Sequence, residues 1–342
     1  MNQILIINNG STSVKYTLFN NDGLELKKNK FNYFKKDNER KKKFLFSLKN
    51  ISKIGIRIVH GEKLEGPIKI TKSILEKIKK AEIFAPIHNN LVLDEIKKVQ
   101  TIFNINIYAV FDTDFHKTIL EKNYTIPIKK SLAEKYGIRK YGFHGIANQS
   151  VLRELKNKNK KFKKIIIAHL GGGSSITAIK NGKSFINSMG LTPISGLMMT
   201  TRVGDIDSDA DKILAKKTGQ SLEKISEIFS KESGFFGLTG SKDTKIIFEK
   251  AEKEEKERKG KYKKEKLAFQ IYLNSIISRI YSYTGLMGGI DVLIFSGGIG
   301  EENQYLRKEV VKKLKLLNLN KKNIFVIKTN EEQEIFKQIK KL

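Results

Sequence analysis

The hydrophobic pattern repeats one unit twice along the chain. Residues 3–7 form an apolar run that ends in a turn rich in Asn, Gly and Ser, and residues 14–19 then alternate before a second turn signal at 21–23. Residues 165–185 repeat this order around a Gly-Gly-Gly-Ser-Ser turn and an Asn-Gly turn. Short runs separated by such turns predict strands joined as hairpins. The repeat predicts a duplicated two-domain protein with its functional site in the cleft between the copies.

Strand and helix patterns alternate through the rest of the chain. Residues 54–60, 105–112 and 291–295 are apolar runs followed by polar or glycine-rich motifs, as expected of buried strands in an α/β sheet. The periodicity also predicts helices over 91–103, 131–136, 146–155 and about 301–316, with a charged and then a more apolar helical stretch within 249–287.

Composition excludes some classes of protein. A chain of 342 residues suits two domains of ordinary size. It has no cysteine, so disulfides and thiolate chemistry are excluded. The first apolar run is too short for a signal peptide or a membrane span. These features predict a soluble, cytoplasmic protein that binds no membrane.

The net charge of +30 is mostly lysine, since 8 of the 66 Lys and Arg residues are Arg and 58 are Lys. The lysines are densest at 35–43, 156–164 and 245–266, where they alternate with Asn and Glu. No aromatic-basic signature or basic helix-turn-helix accompanies them, which favours a solvated surface over a nucleic-acid site. A basic nucleic-acid binder remains an alternative, and the charge also helps to draw anionic substrates into a cleft.

The arginines and histidines occur in short polar motifs. Where lysine is so common, Arg57 in Arg-Ile-Val-His-Gly and Arg202 in Thr-Arg-Val-Gly-Asp-Ile-Asp indicate a need for the planar, bidentate guanidinium. With His144, they are candidates to stabilise charge on a transferring phosphoryl group. All five histidines lie in motifs typical of site loops: His60, His88, His116, His144 and His169.

Two turns are candidate phosphate sites. The three glycines at 171–173 let the backbone approach a polyphosphate without hindrance from Cβ atoms. The turn at 9–13, followed by Lys15, offers N–H groups, hydroxyls and an ammonium, although an ordinary polar hairpin explains it equally well. The Gly-Lys-Ser run at 182–184 is not a P-loop, because Thr177 stands where that motif requires glycine.

Two acidic residues are candidates for acid–base and metal chemistry. Asp112 follows an apolar run and could act as a general base or polarise a metal-bound water; the alternative is a capping Asp at a strand end. Glu331 could hold Mg²⁺ directly or through water. Its alternative, a helix N-terminal glutamate that faces the dipole, is favoured by the motif alone.

Taken together, these segments resemble the acetate kinase family, of the sugar kinase, Hsp70 and actin-like ATPase superfamily. The motifs occur in family order from Ile7 to Glu332: Ile-Asn-Asn-Gly-Ser-Thr-Ser-Val-Lys, Arg-Ile-Val-His-Gly, Ala-Pro-Ile-His-Asn, Phe-Asp-Thr-Asp-Phe-His, Arg-Lys-Tyr-Gly-Phe-His-Gly, His-Leu-Gly-Gly-Gly-Ser-Ser, Thr-Arg-Val-Gly-Asp-Ile-Asp, Gly-Gly-Ile-Gly-Glu and Thr-Asn-Glu-Glu. The motifs Phe-Asp-Thr-Asp-Phe-His and Tyr-Gly-Phe-His-Gly favour acetate kinases over the related butyrate kinases.

The resemblance implies an α/β fold of two duplicated RNase H-like domains around a cleft, the actin-like ATPase fold. The first would comprise residues 1–148 with a C-terminal helix at 331–342, and the second residues 149–330. The implied reaction is reversible transfer of a phosphoryl group from MgATP to acetate, giving acetyl phosphate and ADP, with Mn²⁺ able to replace Mg²⁺. A homodimer that binds no nucleic acid is also implied.

Site residues follow position by position from the resemblance. Mg²⁺ would be supported by Asn8 and Glu331, and phosphate by Lys15 with the turn at 11–13. The catalytic residues would be Arg57 and Arg202, which hold acetate and the moving phosphoryl group, His144, which stabilises the transition state, and the acid/base residue Asp112. The apolar pocket for the acetate methyl would be lined by Val59, Ile87, Phe143 and Pro193. The nucleotide loops would be formed by His169, Leu170, Gly171, Gly172, Gly173, Asp243, Thr244, Lys245, Gly298, Ile299, Gly300, Glu301 and Glu302.

The chain departs from the family in length and at several positions. It is shorter than the usual member, mostly within 15–57 and 300–330. Gly172 replaces the family's usual Asn, Lys245 its Arg, Glu302 its Asn, Thr200 its Gly and Ser208 its Pro. The catalytic positions are intact, so these departures predict an active enzyme with altered nucleotide affinity and preference.

Two other functions remain open. The preferred substrate could be propionate or another short-chain carboxylate, because one methylene in an apolar pocket is worth only about 1–3 kcal/mol. A non-metabolic actin-like or Hsp70-like ATPase is disfavoured, because a water-hydrolysing switch needs no carboxylate clamp of the kind that Arg57, Arg202 and His144 suggest.

Overall fold

The computed structural model describes residues 2–10, 13–33, 37–158 and 161–342, apart from the side chains of residues 86–88. The chain forms two compact units. Unit 1 comprises Met1–Lys117, Phe143–Ser150 and Asn330–Leu342, and unit 2 comprises Thr118–Gly142 and Val151–Thr329. Residues 118–142, which the division drawn from sequence assigned to the first domain, thus group with unit 2.

The described residues form mixed α/β structure in both units. The strands are β1 (Gln3–Asn9), β2 (Ser13–Phe19), β3 (Glu25–Asn32), β4 (Ile51–Ile58), β5 (Ile68–Lys69), β6 (Ile107–Phe111), β7 (Lys164–Leu170), β8 (Ser174–Lys180), β9 (Lys183–Asn187), β10 (Val292–Ser296) and β11 (Ile324–Val326). The helices are α1 (Asn38–Phe46), α2 (Lys72–Lys80), α3 (Pro86–Ile102), α4 (Glu121–Tyr124), α5 (Lys130–Tyr136), α6 (Gly145–Asn157), α7 (Ala210–Thr218), α8 (Leu222–Lys231), α9 (Gly234–Thr239), α10 (Thr244–Glu257), α11 (Lys263–Met287), α12 (Gly297–Glu302), α13 (Gln304–Lys313) and α14 (Glu331–Lys340). Short 3-10 turns occur at Ala81–Phe84, Asp114–Thr118, Lys315–Leu317 and Lys321–Asn323.

The two sheets repeat one strand order. Unit 1 contains the order β3-β2-β1-β4-β6-β5, and unit 2 contains β9-β8-β7-β10-β11. In each, the first three strands of the unit form an antiparallel meander and two further strands add in parallel. Strand β5 extends only the first sheet, antiparallel to β6. The duplication predicted from the hydrophobic pattern is therefore confirmed at the level of strand order.

Both faces of the sheet in unit 1 are buried. Alternate residues of β1 point to opposite faces, so Leu5 and Ile7 join a core with α1 and α3, while Ile4 and Ile6 join a second core with α14. Helix α14 packs closely over Gly55, where an added Cβ would lie 2.7 Å from Ile339 Cγ1. This contact fixes the C-terminal helix against the unit that contains β1.

The core of unit 2 surrounds the apolar helix α11. Its buried residues Tyr272, Ile276 and Ile280 face the sheet, and the rings of Phe235 and Phe248 pack near Tyr272 at centroid distances of 5.0 and 6.1 Å. Among the described residues, no helix is long and apolar enough to span a lipid bilayer.

The predicted limits of the helix over about 301–316 are wrong. It divides into α12 and α13 because Asn303 adopts an extended backbone between them and its side chain accepts a hydrogen bond from the Leu306 N–H at 2.7 Å. The glycine-rich motif that follows residues 291–295 forms the first turn of α12. A short-range cap that interrupts a continuous polar–apolar pattern is not visible in hydrophobic periodicity.

Candidate active site

The polar centre of unit 1 is built around Arg57. Its Nε and Nη2 donate to both carboxylate oxygens of Asp112 at 2.6–3.2 Å. Its Nη1 donates to Asn8 Oδ1 at 3.0 Å and to Glu331 Oε2 at 3.2 Å. Asn8 Nδ2 in turn donates to Glu331 and Glu332 at 2.8 and 2.9 Å. We call these residues, with Lys15, whose Nζ lies 3.4 Å from Glu332 Oε1, the Arg57 cluster.

The sheet topology explains why these distant residues meet. Asn8 and Arg57 lie near the carboxyl ends of β1 and β4, and Asp112 directly follows β6. These three strands are parallel neighbours, so their carboxyl ends share one edge of the sheet. Glu331 is the first residue of α14, which packs on β1 and β4. The structure thus brings together four residues that the sequence singled out separately.

Burial and the neighbouring opposite charge shift the pKa values of Arg57 and Asp112 in opposite directions. Burial raises the pKa of Asp112 to about 6 against the opposing effect of Arg57, and the negative charge of Glu331 adds to the rise. Burial by itself would lower the pKa of Arg57, but Asp112 and Glu331 outweigh it and raise that pKa above its ordinary value. Arg57 therefore stays charged, while Asp112 titrates closer to neutrality than an exposed aspartate.

The start of α6 supports both Asp112 and the predicted catalytic histidine. The Gly145 N–H donates to the Asp112 carbonyl at 3.0 Å, and the Ile146 N–H donates to the Asp112 carboxylate. Any Cβ on Gly145 would collide with that carbonyl. His144 is half-buried and has a φ of 59°, which is unusual for a residue other than glycine. A residue held in this conformation is typical of a functional loop.

Two histidines from the site motifs are buried parts of the loop framework. His116 Nε2 lies 2.8 Å from the Phe143 carbonyl, and burial lowers the pKa of His116 to about 4, so the neutral ring donates this bond. Burial lowers the pKa of His60 to about 3; its Nδ1 accepts from the Glu62 N–H at 3.0 Å. The His60 backbone is paired with the Asn89 side chain. These positioning roles were not predicted from the sequence.

The residues predicted to line a pocket for the acetate methyl are only partly described by the structure. Val59 and Phe143 are buried in unit 1, and the ring of Phe143 lies 5.6 Å from that of His60. Pro193 belongs to unit 2. The side chains of Ile87 and His88 lie outside the described residues, as do Ser11 and Thr12 of the predicted phosphate turn. The pocket therefore remains a prediction.

Two predicted nucleotide loops meet in unit 2. Strands β7 and β10 are parallel neighbours, and His169 Nδ1 lies 3.2 Å from Ser296 Oγ across them. We call Gly171–Gly173 the glycine turn; it follows β7, and a Cβ on Gly171 would lie 3.9 Å from the Gly298 N atom at the start of α12. Gly297 is more restricted, because its φ is 74° and an added Cβ would lie 2.6 Å from the Leu170 carbonyl oxygen. The two loops thus form one glycine-rich surface.

Three acidic residues of the nucleotide loops differ in environment. The Asp243 carboxylate caps α10 by accepting from the N–H groups of Lys245 and Ile246 at 3.0 and 3.1 Å. The Glu301 carboxylate accepts from the Gly297 N–H at 2.9 Å and stabilises the start of α12. Glu302 and Lys245 are exposed. The observed contacts of Asp243 and Glu301 are structural, and their role toward a nucleotide remains a prediction.

Arg202 lies in a tightly folded loop of unit 2. Its Nη1 donates to the Pro193 carbonyl at 3.0 Å and lies 3.8 Å from Met199 Sδ. Burial lowers the pKa of Arg202 to about 10, so the guanidinium is charged at neutral pH. Gly234, with a φ of 62°, passes so close to the carbonyls of Met199 and Arg202 that no side chain fits there. The loop therefore presents a partly buried, charged arginine on a fixed backbone.

The repeated strand order is that of the actin-like ATPase fold, which the matching acetate kinase structures share. The Acetokinase family profile matches residues 30–338. The chain is 33% identical to the acetate kinase of Mycoplasma mycoides. The alignment has 390 positions and covers 97% of this chain and 98% of that protein. The chain belongs to the acetokinase family, whose members use ATP to phosphorylate a carboxyl group.

Solved structures agree with this assignment. The fold matches a propionate kinase from Francisella tularensis with a TM-score of 0.87 and 34% identity, over 98% of both chains. It matches the acetate kinase from Entamoeba histolytica with a TM-score of 0.85 and 29% identity, over 99% of both chains. The alignment of 390 positions against a chain of 342 residues agrees with the expectation that this chain is shorter than its relatives.

Proposed function

We propose that the chain catalyses the reversible, in-line transfer of a phosphoryl group from MgATP to acetate, giving acetyl phosphate and ADP. The observation that supports this most directly is the fixed guanidinium of Arg57. Among the described residues, Asp112, Asn8 and Glu331 take four of its five N–H groups, which leaves one on Nη2 for an anion. A planar donor held in this way is suited to orient a carboxylate or a phosphoryl oxygen.

The charges of the Arg57 cluster support a requirement for a divalent cation. Two cations, Arg57 and Lys15, face three carboxylates, Asp112, Glu331 and Glu332, so the cluster is left with one net negative charge. An anionic substrate is unfavourable there until a cation is added. Asn8 and Glu331 offer the oxygen ligands that Mg²⁺ or Mn²⁺ prefers. When bound, the ion would neutralise charge on the nucleotide phosphates.

A site with few protein ligands agrees with this assignment. Within the described residues, no group of three or more His, Cys, Asp or Glu side chains is arranged to hold a metal ion. Mg²⁺ in kinases is typically held by one or two carboxylates together with substrate phosphates and water. Asn8 and Glu331 would therefore support the ion only when nucleotide is present.

Asp112 acts in this proposal by positioning Arg57. Carboxylic acids have pKa values of about 4, so acetate is already an anion at neutral pH and needs no general base to attack phosphorus. The Asp112 carboxylate is occupied by Arg57 and by the Ile146 N–H. His144 and Arg202 would stabilise the charge that develops on the transferring phosphoryl group. This role for Asp112 replaces the acid/base role implied by the family resemblance.

The nucleotide would bind to unit 2, and Lys15 would also contact its phosphates. The glycine turn and the start of α12 offer backbone N–H groups without Cβ hindrance, as polyphosphate sites require. Asp243, Thr244 and Lys245 would contact the nucleoside. Lys245 is exposed at the start of α10 and offers a mobile ammonium instead of the planar group of an arginine, which predicts weak discrimination among purine nucleotides.

Propionate is the second candidate substrate, favoured by the similarity to the Francisella tularensis propionate kinase. Val59, Ile87, Phe143 and Pro193 would contact the alkyl group of the acid. Ratios of kcat/KM for acetate, propionate and butyrate decide between the two substrates. A ratio above one for propionate over acetate would favour the alternative.

A hydroxamate assay tests the proposed function. Purified protein incubated with ATP, Mg²⁺, acetate and hydroxylamine should accumulate acetohydroxamate, because hydroxylamine traps acetyl phosphate. Omission of acetate or addition of a chelator should abolish the signal. ATP hydrolysis without acyl phosphate would contradict the proposal and favour a non-metabolic ATPase.

We further propose a cytoplasmic homodimer that binds neither membrane nor nucleic acid. The lysine-rich surface carries many exposed i,i+3 and i,i+4 pairs, such as Lys224–Glu227 and Lys256–Glu252, which supports a solvated surface. Sedimentation velocity tests the dimer. DNA retention that depends on salt and is not displaced by ATP would contradict the last assignment.

A further inference from the structure

Thr200 lies directly against the glycine turn of unit 2. Its N–H points to the Gly172 carbonyl at 3.4 Å. Apart from its own chain neighbours, the described atom nearest to a Cβ built on Gly172 would be Thr200 Oγ1, 4.0 Å away. The Thr200 hydroxyl therefore borders the space that a side chain at position 172 would occupy.

The backbone of Thr200 is held by its neighbours in the fold. Its carbonyl accepts a hydrogen bond from the Phe236 N–H in α9 at 2.9 Å. The preceding residue, Met199, donates to the Arg202 carbonyl at 3.0 Å and accepts from the Phe235 N–H at 3.0 Å. Thr200 thus occupies a fixed position that joins the glycine turn to the loop of Arg202.

The hydroxyl of Thr200 differs from that of the adjacent threonine. Thr201 Oγ1 donates to the Ser230 carbonyl at 3.1 Å, so it is committed to the fold. The Thr200 hydroxyl makes no hydrogen bond to any other residue that the structure describes, and the residue is half-buried. A positioned hydroxyl beside a phosphate-sized turn can donate to an anionic oxygen.

We propose that the Thr200 hydroxyl binds a phosphate oxygen of the nucleotide and replaces the side chain that Gly172 lacks. The inference rests on the proposed function, because it places the nucleotide phosphates at the glycine turn. Thr200 and Gly172 are then a matched pair, because the Thr200 hydroxyl borders the space that a side chain at position 172 would occupy.

The first test measures ADP binding by calorimetry, without acetate or turnover. Thr200→Val keeps the shape but removes the donor, and should raise the Kd for ADP about tenfold, the typical effect of one hydrogen bond to a charged group. Thr200→Ser should stay near wild type. Thr201→Val is the matched control and should lower Tm without changing the Kd. An unchanged Kd in Thr200→Val would overturn the proposal.

A double-mutant cycle tests the pairing. Gly172→Asn by itself should weaken ADP binding, because the longer side chain crowds Thr200, and Thr200→Gly by itself should weaken it by removing the donor. The double variant should bind ADP within about threefold of wild type. Additive losses would overturn the pairing. If no variant or wild-type protein makes acyl phosphate while the ADP pattern holds, the proposed function fails and the role of Thr200 stands.

Discussion

The planar guanidinium of Arg57 is held by hydrogen bonds along two of its edges, and a lysine cannot form this arrangement. The guanidinium bonds Asp112 through one edge and Asn8 with Glu331 through the other, while only 12% of its side chain is exposed. A single ammonium has the charge but not the fixed fork. The chemistry at this position therefore depends on geometry as well as on charge.

Arg57→Lys should lower kcat about 100-fold or more while the protein stays folded. Steady-state kinetics and a thermal melt measure the two effects. Arg258→Lys, at an exposed position after α10, is the matched control and should leave kcat unchanged. Near wild-type kcat in Arg57→Lys would show that the bidentate geometry is not required.

The raised pKa of Asp112 predicts an acid limb in the pH profile of kcat/KM near pH 6. Below this pH the carboxyl is protonated and no longer holds Arg57, so activity falls as pH falls. Because the charge of Glu331 contributes to the rise, Glu331→Gln should move the limb to lower pH. A limb that does not move in this variant would assign the titration to another group.

His144 allows the ring and the backbone to be tested separately. Its φ of 59° suits glycine, so His144→Gly removes the ring and relieves strain, whereas His144→Ala removes the ring and keeps the strain. Both should lower kcat about 100-fold and change the KM for ATP less. A large loss in only one of them would indicate a backbone effect, and wild-type kcat in both would exclude the transition-state role.

At the scale of elements, α14 links the packing of unit 1 to its chemistry. Its apolar residues Ile335 and Ile339 pack on β4 over Gly55, and its first residue is Glu331 of the Arg57 cluster. A displacement of this helix therefore moves a site residue as well as part of the core.

Gly55→Ala should lower stability by about 1–3 kcal/mol, since the new Cβ would lie 2.7 Å from Ile339 and 2.9 Å from Ile6. It should also lower kcat through Glu331. The control is Gly285→Ala in α11, where no described atom beyond the neighbouring helix backbone lies within 4 Å of the new Cβ; it should gain up to about 1 kcal/mol. Denaturant unfolding measures both, and equal effects would contradict the packing argument.

At the scale of the whole molecule, the net charge of +30 acts on anionic substrates before they bind. Raising NaCl from about 20 to about 300 mM shortens the screening length and should lower kcat/KM for ATP several-fold. The kcat at saturating substrate should change little, because the buried Arg57 cluster is screened much less. A kcat that falls in parallel would indicate that salt acts on the site.

The sequence by itself determined the duplication, the main strands and the residue types of the candidate site. Strand–turn–strand units are local patterns, so β1–β2 and β7–β8 were visible in hydrophobic alternation. Arg57, Asp112 and the glycine turn were visible because each lies in a short motif with an unusual composition. Local order and residue chemistry are encoded within a few positions, and these are what pattern analysis detects.

Only the tertiary structure decided which of these residues act together. Arg57 and Glu331 are 274 positions apart, and they meet because sheet register and the packing of α14 bring them together. The burial that makes His60 and His116 neutral framework residues, and the proximity of Thr200 to Gly172, also depend on contacts between distant segments. Burial, pKa and partnership are properties of the packed chain, so no local pattern specifies them.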